Sequence, residues 1–315
     1  MSRRALFVYF PQCEVLDFAG PLQALHEVNA LVRGAYDVVH CGAGESTQTA
    51  QGLVLGALAP LPAPAAGDLV FVPGYPTQGA QPPKKLDRWL STAHAAGAQI
   101  FSTCTGAFVL ARAGLLDGRA CTTHWKRTEE LQAAYPRVRV LSGHLYVREG
   151  SITTSAGITA GIDMTLDFIE REHGAAIAAR VAREMVVYIR RDGTHKQESM
   201  YLAYRSHIDP AVHAVQDWLT ANPAEKGRLP DLAAIANMSV RNLTRAFTKA
   251  TGISIGEYRR RLRLEHAKML LADPQRTIEA IAADSGFADA RQFRRMWQRA
   301  YGVSPARYRA EPLRP

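Results

Sequence analysis

The sequence predicts two folded parts in series. The first is an α/β domain with a mostly parallel sheet, helices on both faces and a nucleophile elbow. The second is an all-α domain with two helix-turn-helix units. Three observations carry this: strand-like and helical patterns alternate through residue 191, the basic excess lies in the last third, and that third contains one helical unit written twice. A composition of 47% hydrophobic and 21% charged residues in 315 supplies packed cores and excludes a disordered chain.

Apolar strand-like runs fall at residues 5–10, 36–41, 69–72, 99–101, 120–123, 138–141 and 151–154. Helical patterns lie between them at 21–31, 84–96, 107–113 and 126–134, with two more at 157–171 and 175–191. The run 5–10 is too short for a signal peptide, and no stretch reaches membrane-spanning length. Cys13, Cys41, Cys104 and Cys121 are too scattered for a disulfide framework or zinc finger, so no metal or cofactor and a reducing cytoplasm are expected.

Ligands of such sheets bind beyond the carboxyl ends of the strands. There Ile100-Phe101-Ser102-Thr103-Cys104-Thr105-Gly106-Ala107 runs from strand into helix with a thiol at the junction. The positive end of the helix is expected to lower the Cys104 pKa, with the N–H groups of Thr105 and of the turn at Gly74 forming an oxyanion cradle. Asp17 follows the first strand and is placed to hydrogen-bond the thiol; capping a helix that starts near Pro21 is its other reading. His124, in Thr122-Thr123-His124-Trp125, is a rim candidate or a structural histidine beside Trp125. A buried apolar role remains open for Cys104, and the other three cysteines read as packing residues.

The charge is divided unevenly. Residues 1–211 hold 20 Lys and Arg against 19 Asp and Glu, whereas residues 212–315 hold 18 against 10. A cationic excess confined to one domain points to a polyanion. Within it, Ala234-Ile235-Ala236 recurs as Ala280-Ile281-Ala282, and Gly252-Ile253-Ser254 as Gly302-Val303-Ser304. Arg241, Leu243, Arg245, Phe247 and Tyr258-Arg259 recur 50 residues on as Arg291, Phe293, Arg295, Trp297 and Tyr308-Arg309. Each copy reads as a helix-turn-helix, at 232–253 and 279–302, with Ser239 and Asp289 as N-caps and Gly252 and Gly302 as stops. Arg241, Thr244 and Arg245 share one exposed face, as do Arg291, Arg294 and Arg295. Helices with arginines in their first turns suit successive major grooves about 34 Å apart.

On these residues, with the ending Gly302 to Arg309, the tail resembles the AraC/XylS-type DNA-binding domain. That resemblance implies base contacts from Arg241, Asn242, Thr244 and Arg245, and from Arg291, Gln292, Arg294 and Arg295 in a second, often weaker reader. The phrases Leu16-Asp17-Phe18-Ala19-Gly20-Pro21, Cys104-Thr105-Gly106-Ala107, Ala113 to Gly118, Thr123-His124-Trp125 and Thr154-Ser155-Ala156-Gly157 resemble the PfpI-type, class I glutamine amidotransferase-like superfamily, with its flavodoxin-like sheet. They are similar also to its isonitrile hydratase-like branch, where an equivalent cysteine is the nucleophile with an aspartate partner. A histidine directly after Cys104 is absent, which argues against peptidase or glutaminase chemistry.

The order of the two parts resembles the GlxA family of transcriptional regulators. It implies a ligand-sensing and dimerisation domain at 5–191, a linker at 192–210 and a DNA-binding domain at 211–312. The expected partners are double-stranded promoter DNA, a small-molecule effector, a second copy of the chain and, for an activator, RNA polymerase. The expected location is cytoplasmic, at the nucleoid when bound to DNA, with no membrane. The alternative is a Cys104-dependent hydratase or amidase carrying a DNA-binding tail.

Overall fold

The computed structural model describes residues 2–79, 81–187, 190–193, 197, 200 and 204–310. It divides into two compact units, residues 1–197 and 198–314. Much of the expected linker, 192–210, falls outside the described residues, as do positions 188 and 189 of the last helix expected in the first part and the end of the second.

In the first unit, β1 (Arg3–Tyr9), β2 (Tyr36–Gly42), β6 (Leu69–Val72), β7 (Gln99–Thr103) and β11 (Ile152–Ser155) are the long parallel strands. β10 (Tyr146–Glu149) joins β11 antiparallel at one edge and β5 (Ala59–Pro60) closes the other, giving the order β10-β11-β7-β6-β1-β2-β5. The parallel strands thus run second, first, third, fourth, fifth, which is the flavodoxin-like order. Two small pairs stand apart: β3 (Thr47–Gln48) with β4 (Val54–Leu55), and β8 (Ala120–Cys121) with β9 (Arg139–Val140).

The crossovers are α1 (Val15–Leu31), α2 (Lys85–Ala95) and α3 (Gly106–Arg112); α4 (Thr128–Ala134) follows a turn of 3₁₀ helix at Trp125–Arg127. α5 (Thr159–His173) and α6 (Ala175–Glu184) pack with α1. The chain winds one way from β1 to β2 and the other from β6 to β7, so right-handed crossovers put α1 and α2 on opposite faces. Phe7, Phe71 and Phe101 stack across three adjacent strands at 4.6 and 4.9 Å, and Phe168 of α5 meets Phe101 edge-on at 5.2 Å. Neighbouring register positions on one sheet face make this aromatic row possible.

Three expectations need correction. The helix expected over 175–191 ends at Glu184, with Met185 as its C-cap. The first helix starts at Val15, not near Pro21, which lies inside it. Residues 120–123 and 138–141 yield only the short pair β8–β9, apart from the main sheet.

The second unit comprises α7 (Pro210–Ala221), α8 (Leu229–Ile235), α9 (Val240–Thr251), α10 (Ile255–Leu271), α11 (Ile278–Asp284), α12 (Ala290–Tyr301) and α13 (Pro305–Ala310). Val212, Leu219, Leu232, Leu243, Phe247 and Tyr258 belong to one core; Leu271, Ile281, Phe293, Trp297 and Tyr308 belong to a second. α10 contributes Leu262 to the first and Leu264 to the second, so one helix of about 25 Å joins both. The duplication persists in the packing. Tyr258 meets Phe247 edge-on at 5.4 Å and 74°, and Tyr308 meets Trp297 at 5.2 Å and 76°.

Candidate functional site

Four chain segments leaving the sheet bring Asp17, Gly74, Cys104 with Thr105, and Gly157 together. Cys104 sits between β7 and α3 at φ +55°, in the left-handed region that a side chain occupies only at a cost. Its N–H is held by the Ser155 carbonyl at 2.9 Å, and its own carbonyl accepts from Thr123 Oγ1 at 2.9 Å. The elbow is therefore clamped on both sides by the segments around β8 and β11.

Asp17 is buried in the first turn of α1 and does not cap a helix. Its two oxygens accept the N–H of Ile158 and of Gly74, both at 2.9 Å. Burial raises its pKa to about 6, with Glu14 pushing the same way and the two N–H bonds opposing. Ile158 is held at φ +34°, a strained conformation for a β-branched residue. Gly74 must be glycine because a Cβ would lie 2.5 Å from Asp17 Oδ2 and 2.9 Å from both Cys104 Cβ and Thr105 Oγ1.

This geometry revises the expected chemistry. The Gly74 N–H belongs to Asp17 rather than to an oxyanion cradle. Thr105 Oγ1 accepts the Tyr75 N–H at 2.7 Å and donates to the Tyr75 carbonyl at 2.5 Å, fastening the two loops together. The Cys104 thiol is pushed up to about 12, first by burial and then by the Asp17 charge, the reverse of the expected lowering. Asp17 acts on the sulfur through its charge, no hydrogen bond joining the two among the described residues.

His124 borders the same space: a Cβ on Gly157 would lie 3.3 Å from Cys104 Sγ and 3.4 Å from His124 Cδ2. Its ring also has structural work. It stacks on Trp125 at 5.7 Å, and Nδ1 accepts the Lys126 N–H at 3.3 Å. Burial, Lys126 and Arg127 lower its pKa, favouring neutral imidazole.

The helical unit presents a different surface. Ser239 caps α9 by accepting the Asn242 N–H at 3.3 Å, and Asp289 caps α12 by accepting that of Gln292 at 2.6 Å. Both helices stop at a glycine with φ +75°. With Leu243 and Phe247 buried, Arg241, Asn242, Thr244 and Arg245 are exposed. The second copy exposes Arg291, Arg294 and Arg295 above buried Phe293 and Trp297. Two of its expected readers are engaged within the unit. Arg294 pairs with Glu279 at 2.6 Å, and Gln292 Oε1 accepts the Ala288 N–H at 2.9 Å. Arg241, Arg245, Arg291 and Arg295 form no ion pair among the described residues.

Residues 3–171 match the DJ-1/PfpI family model. The chain belongs to the DJ-1/PfpI family. Behind that domain, residues 232–311 match a helix-turn-helix domain, and the tail is of the AraC type. Among curated proteins, the HTH-type transcriptional regulator GbdR of Pseudomonas aeruginosa is 34% identical over 211 residues, covering 66% of this chain and 57% of GbdR. The chain thus spans little more than half of that relative. The HTH-type transcriptional regulator CdhR of the same species is 29% identical over 316 residues, covering 98% of this chain and 92% of CdhR. An isonitrile hydratase of Pseudomonas putida is 30% identical over 196 residues, covering 59% of this chain and 78% of the hydratase. The crystal structure of an AraC family transcriptional regulator from Pseudomonas putida superposes with a TM-score of 0.52 at 23% identity, over 58% of this chain and 99% of that one, and supports the fold. No described helix is long and apolar enough to cross a membrane.

Sequence reasoning missed three residues that hold the segments around Asp17, Cys104 and His124. Gly157 was visible only as part of a phrase, and the positive φ of Ile158 has no sequence signal at all. Gln197 is the third. Its Nε2 donates to the carbonyls of Thr123 and His144 at 2.9 Å and to Thr122 Oγ1 at 3.1 Å.

Proposed function

We propose that this chain is a sequence-specific DNA-binding transcriptional regulator, an activator, whose α9 and α12 enter successive major grooves of promoter DNA. The observation that carries the reading is the repeated cationic face: Arg241 with Arg245 and Arg291 with Arg295, exposed over matching caps and cores. Guanidinium forks on the first turns of such helices pair with guanine O6 and N7. In this reading the base contacts come from Arg241, Asn242, Thr244, Arg245, Arg291 and Arg295, with Gln292 and Arg294 as supports of α12. A small effector occupies the Asp17–Cys104–His124 pocket and shifts the population of DNA-competent chains. The first unit, spanning about residues 5–191, pairs two copies for avidity on repeated half-sites, and RNA polymerase is the partner of the bound activator. The protein then resides in the cytoplasm, at the nucleoid when bound.

Selection of bound duplexes from a random pool, followed by footprinting, tests it. Enrichment of one motif, lost on Arg241→Ala, is the expected result; no enrichment even at low salt refutes it.

The second reading, a hydratase or amidase, is favoured by the Cys104 elbow and the isonitrile hydratase relative. Against it stand the raised thiol pKa and the engaged Gly74 N–H, which leave Cys104 poorly activated as a nucleophile. Turnover of isonitriles or small amides, abolished by Cys104→Ser, would establish it.

A further inference from the structure

Beside α9 the second unit carries an open cleft of about 820 Å³. One wall is α9 itself, through Asn242, Arg245 and Lys249; the other is the segment His207-Ile208-Asp209 that leads into α7, and Met238 lines the cleft between them. We propose that this cleft seats one phosphodiester strand of the duplex, Lys249 facing a phosphate and Ile208 and Met238 lying against the sugars, while Arg245 at the cleft's edge reaches past the strand to the bases. The proposal rests on the reading that α9 enters a major groove, and deepens it by separating residues that hold the backbone from residues that read bases.

Three features support that occupant. First, geometry demands one. A helix is about 10–12 Å across and the major groove about 12 Å wide, so sugar–phosphate strands must run along both flanks of an inserted helix. Asn242, Arg245 and Lys249 lie at i, i+3 and i+7, on the flank of α9 turned to the cleft. Arg241, about 40° round the helix from Arg245, lies on the exposed crest between the flanks, and Thr244 lies toward the opposite flank.

Second, the outer wall is built rather than loose. The His207 ring stacks on His213 at 4.2 Å and 21°. His213 Nε2 donates to the His207 carbonyl at 2.8 Å, and the Asp209 N–H donates to His207 Nδ1 at 3.3 Å. This fixed step holds out Ile208, which is 97% exposed.

Third, the charges match a polyanion. Arg245 and Lys249 are exposed and make no ion pair among the described residues. The acidic group in the wall, Asp209, is committed to capping α7, accepting the N–H groups of Ala211 and Val212 at 3.1 and 3.2 Å. The volume lies in the range of small-ligand pockets, but such pockets enclose their ligand in mostly apolar walls. This one is open and cation-rimmed, as a passing strand requires.

The test uses the full chain, a duplex carrying the selected motif and a mixed-sequence duplex, with affinity followed by fluorescence anisotropy across a salt series. Lys249→Ala is expected to weaken binding to both duplexes by a similar factor and to reduce the log–log salt slope by about one. Ile208→Glu, which removes no buried surface and should leave the melting midpoint unchanged, is expected to weaken both by on the order of tenfold at low salt. Arg241→Ala, outside the cleft, is expected to lose the preference for the selected motif instead. Wild-type affinity and slope for Lys249→Ala and Ile208→Glu, with Arg241→Ala impaired, would overturn the proposal and leave DNA reading intact. If Arg241→Ala also bound as wild type, the reading of α9 itself would fall. Saturable binding of adenosine monophosphate that Ile208→Glu abolishes, with duplex affinity unaltered, would assign the cleft to a soluble anion and likewise overturn it.

Discussion

Asp17 offers a quantitative test of the pocket. Its carboxyl titrates near 3.8 when unperturbed and near 6 in the folded protein, burial being the main cause. A raised carboxylate pKa means that the folded chain holds the proton longer than the unfolded one. The associated stability is fully present well below about pH 4, falls as pH rises toward 6, and is gone above it. At 1.36 kcal/mol per pKa unit the total is about 3 kcal/mol. Asp17→Asn keeps the shape, loses the titration and misplaces one acceptor, because its NH₂ must face the N–H of Gly74 or Ile158. That mismatch shifts stability by a constant at every pH, so the informative quantity is how the wild-type-minus-variant difference changes. Urea unfolding of both full-length proteins between about pH 4 and pH 7.5, followed through the transition that Asp17→Asn displaces, measures it. The wild type should lose about 2.5 kcal/mol relative to the variant across this range, the remainder having gone below about pH 4 where the unfolded carboxyl begins to ionise. A difference that stays flat, or grows in favour of the wild type, would refute the claim that burial governs this carboxyl.

Other consequences can be measured independently. Cys104 in the folded protein should react with iodoacetamide more slowly than a free cysteine at neutral pH, and Asp17→Asn should speed it by removing the charge that opposes the thiolate; peptide mapping of the modified sulfur reads both. Gly74→Ala places a methyl against Asp17, Cys104 and Thr105, and should destabilise the first unit by about 2 kcal/mol in thermal melts. Ser239→Ala and Asp289→Ala should each lower the stability of the second unit by about 1 kcal/mol in urea unfolding, with the larger effect at Asp289, whose partner Gln292 closes a second bond on Ala288.

The helical unit was the more legible half because its information is local. Caps at Ser239 and Asp289, stops at Gly252 and Gly302, and buried pairs four residues apart all follow from neighbours in sequence. In the first unit, the long strands and the position of Cys104 after β7 were legible for the same reason, whereas the order of the strands in the sheet is not local information. Pro21 misled the helix start because proline favours a first turn, whereas here it sits within α1. β10 is four residues long and pairs only at an edge, so periodicity could not reveal it. The pocket's electrostatics were illegible. They depend on which distant N–H groups Asp17 captures, and on how deeply the strand ends bury the thiol.

Gln197 gives the arrangement a mechanical consequence. It is the last residue of the first unit, and its amide is knotted to Thr123, whose hydroxyl grips the carbonyl of Cys104. The root of the tether to the DNA-binding half is therefore moored two hydrogen bonds from the sulfur. Thr123 is thus a single hinge-pin for both: any displacement of it disturbs its grip on Cys104 and its hold on Gln197 together.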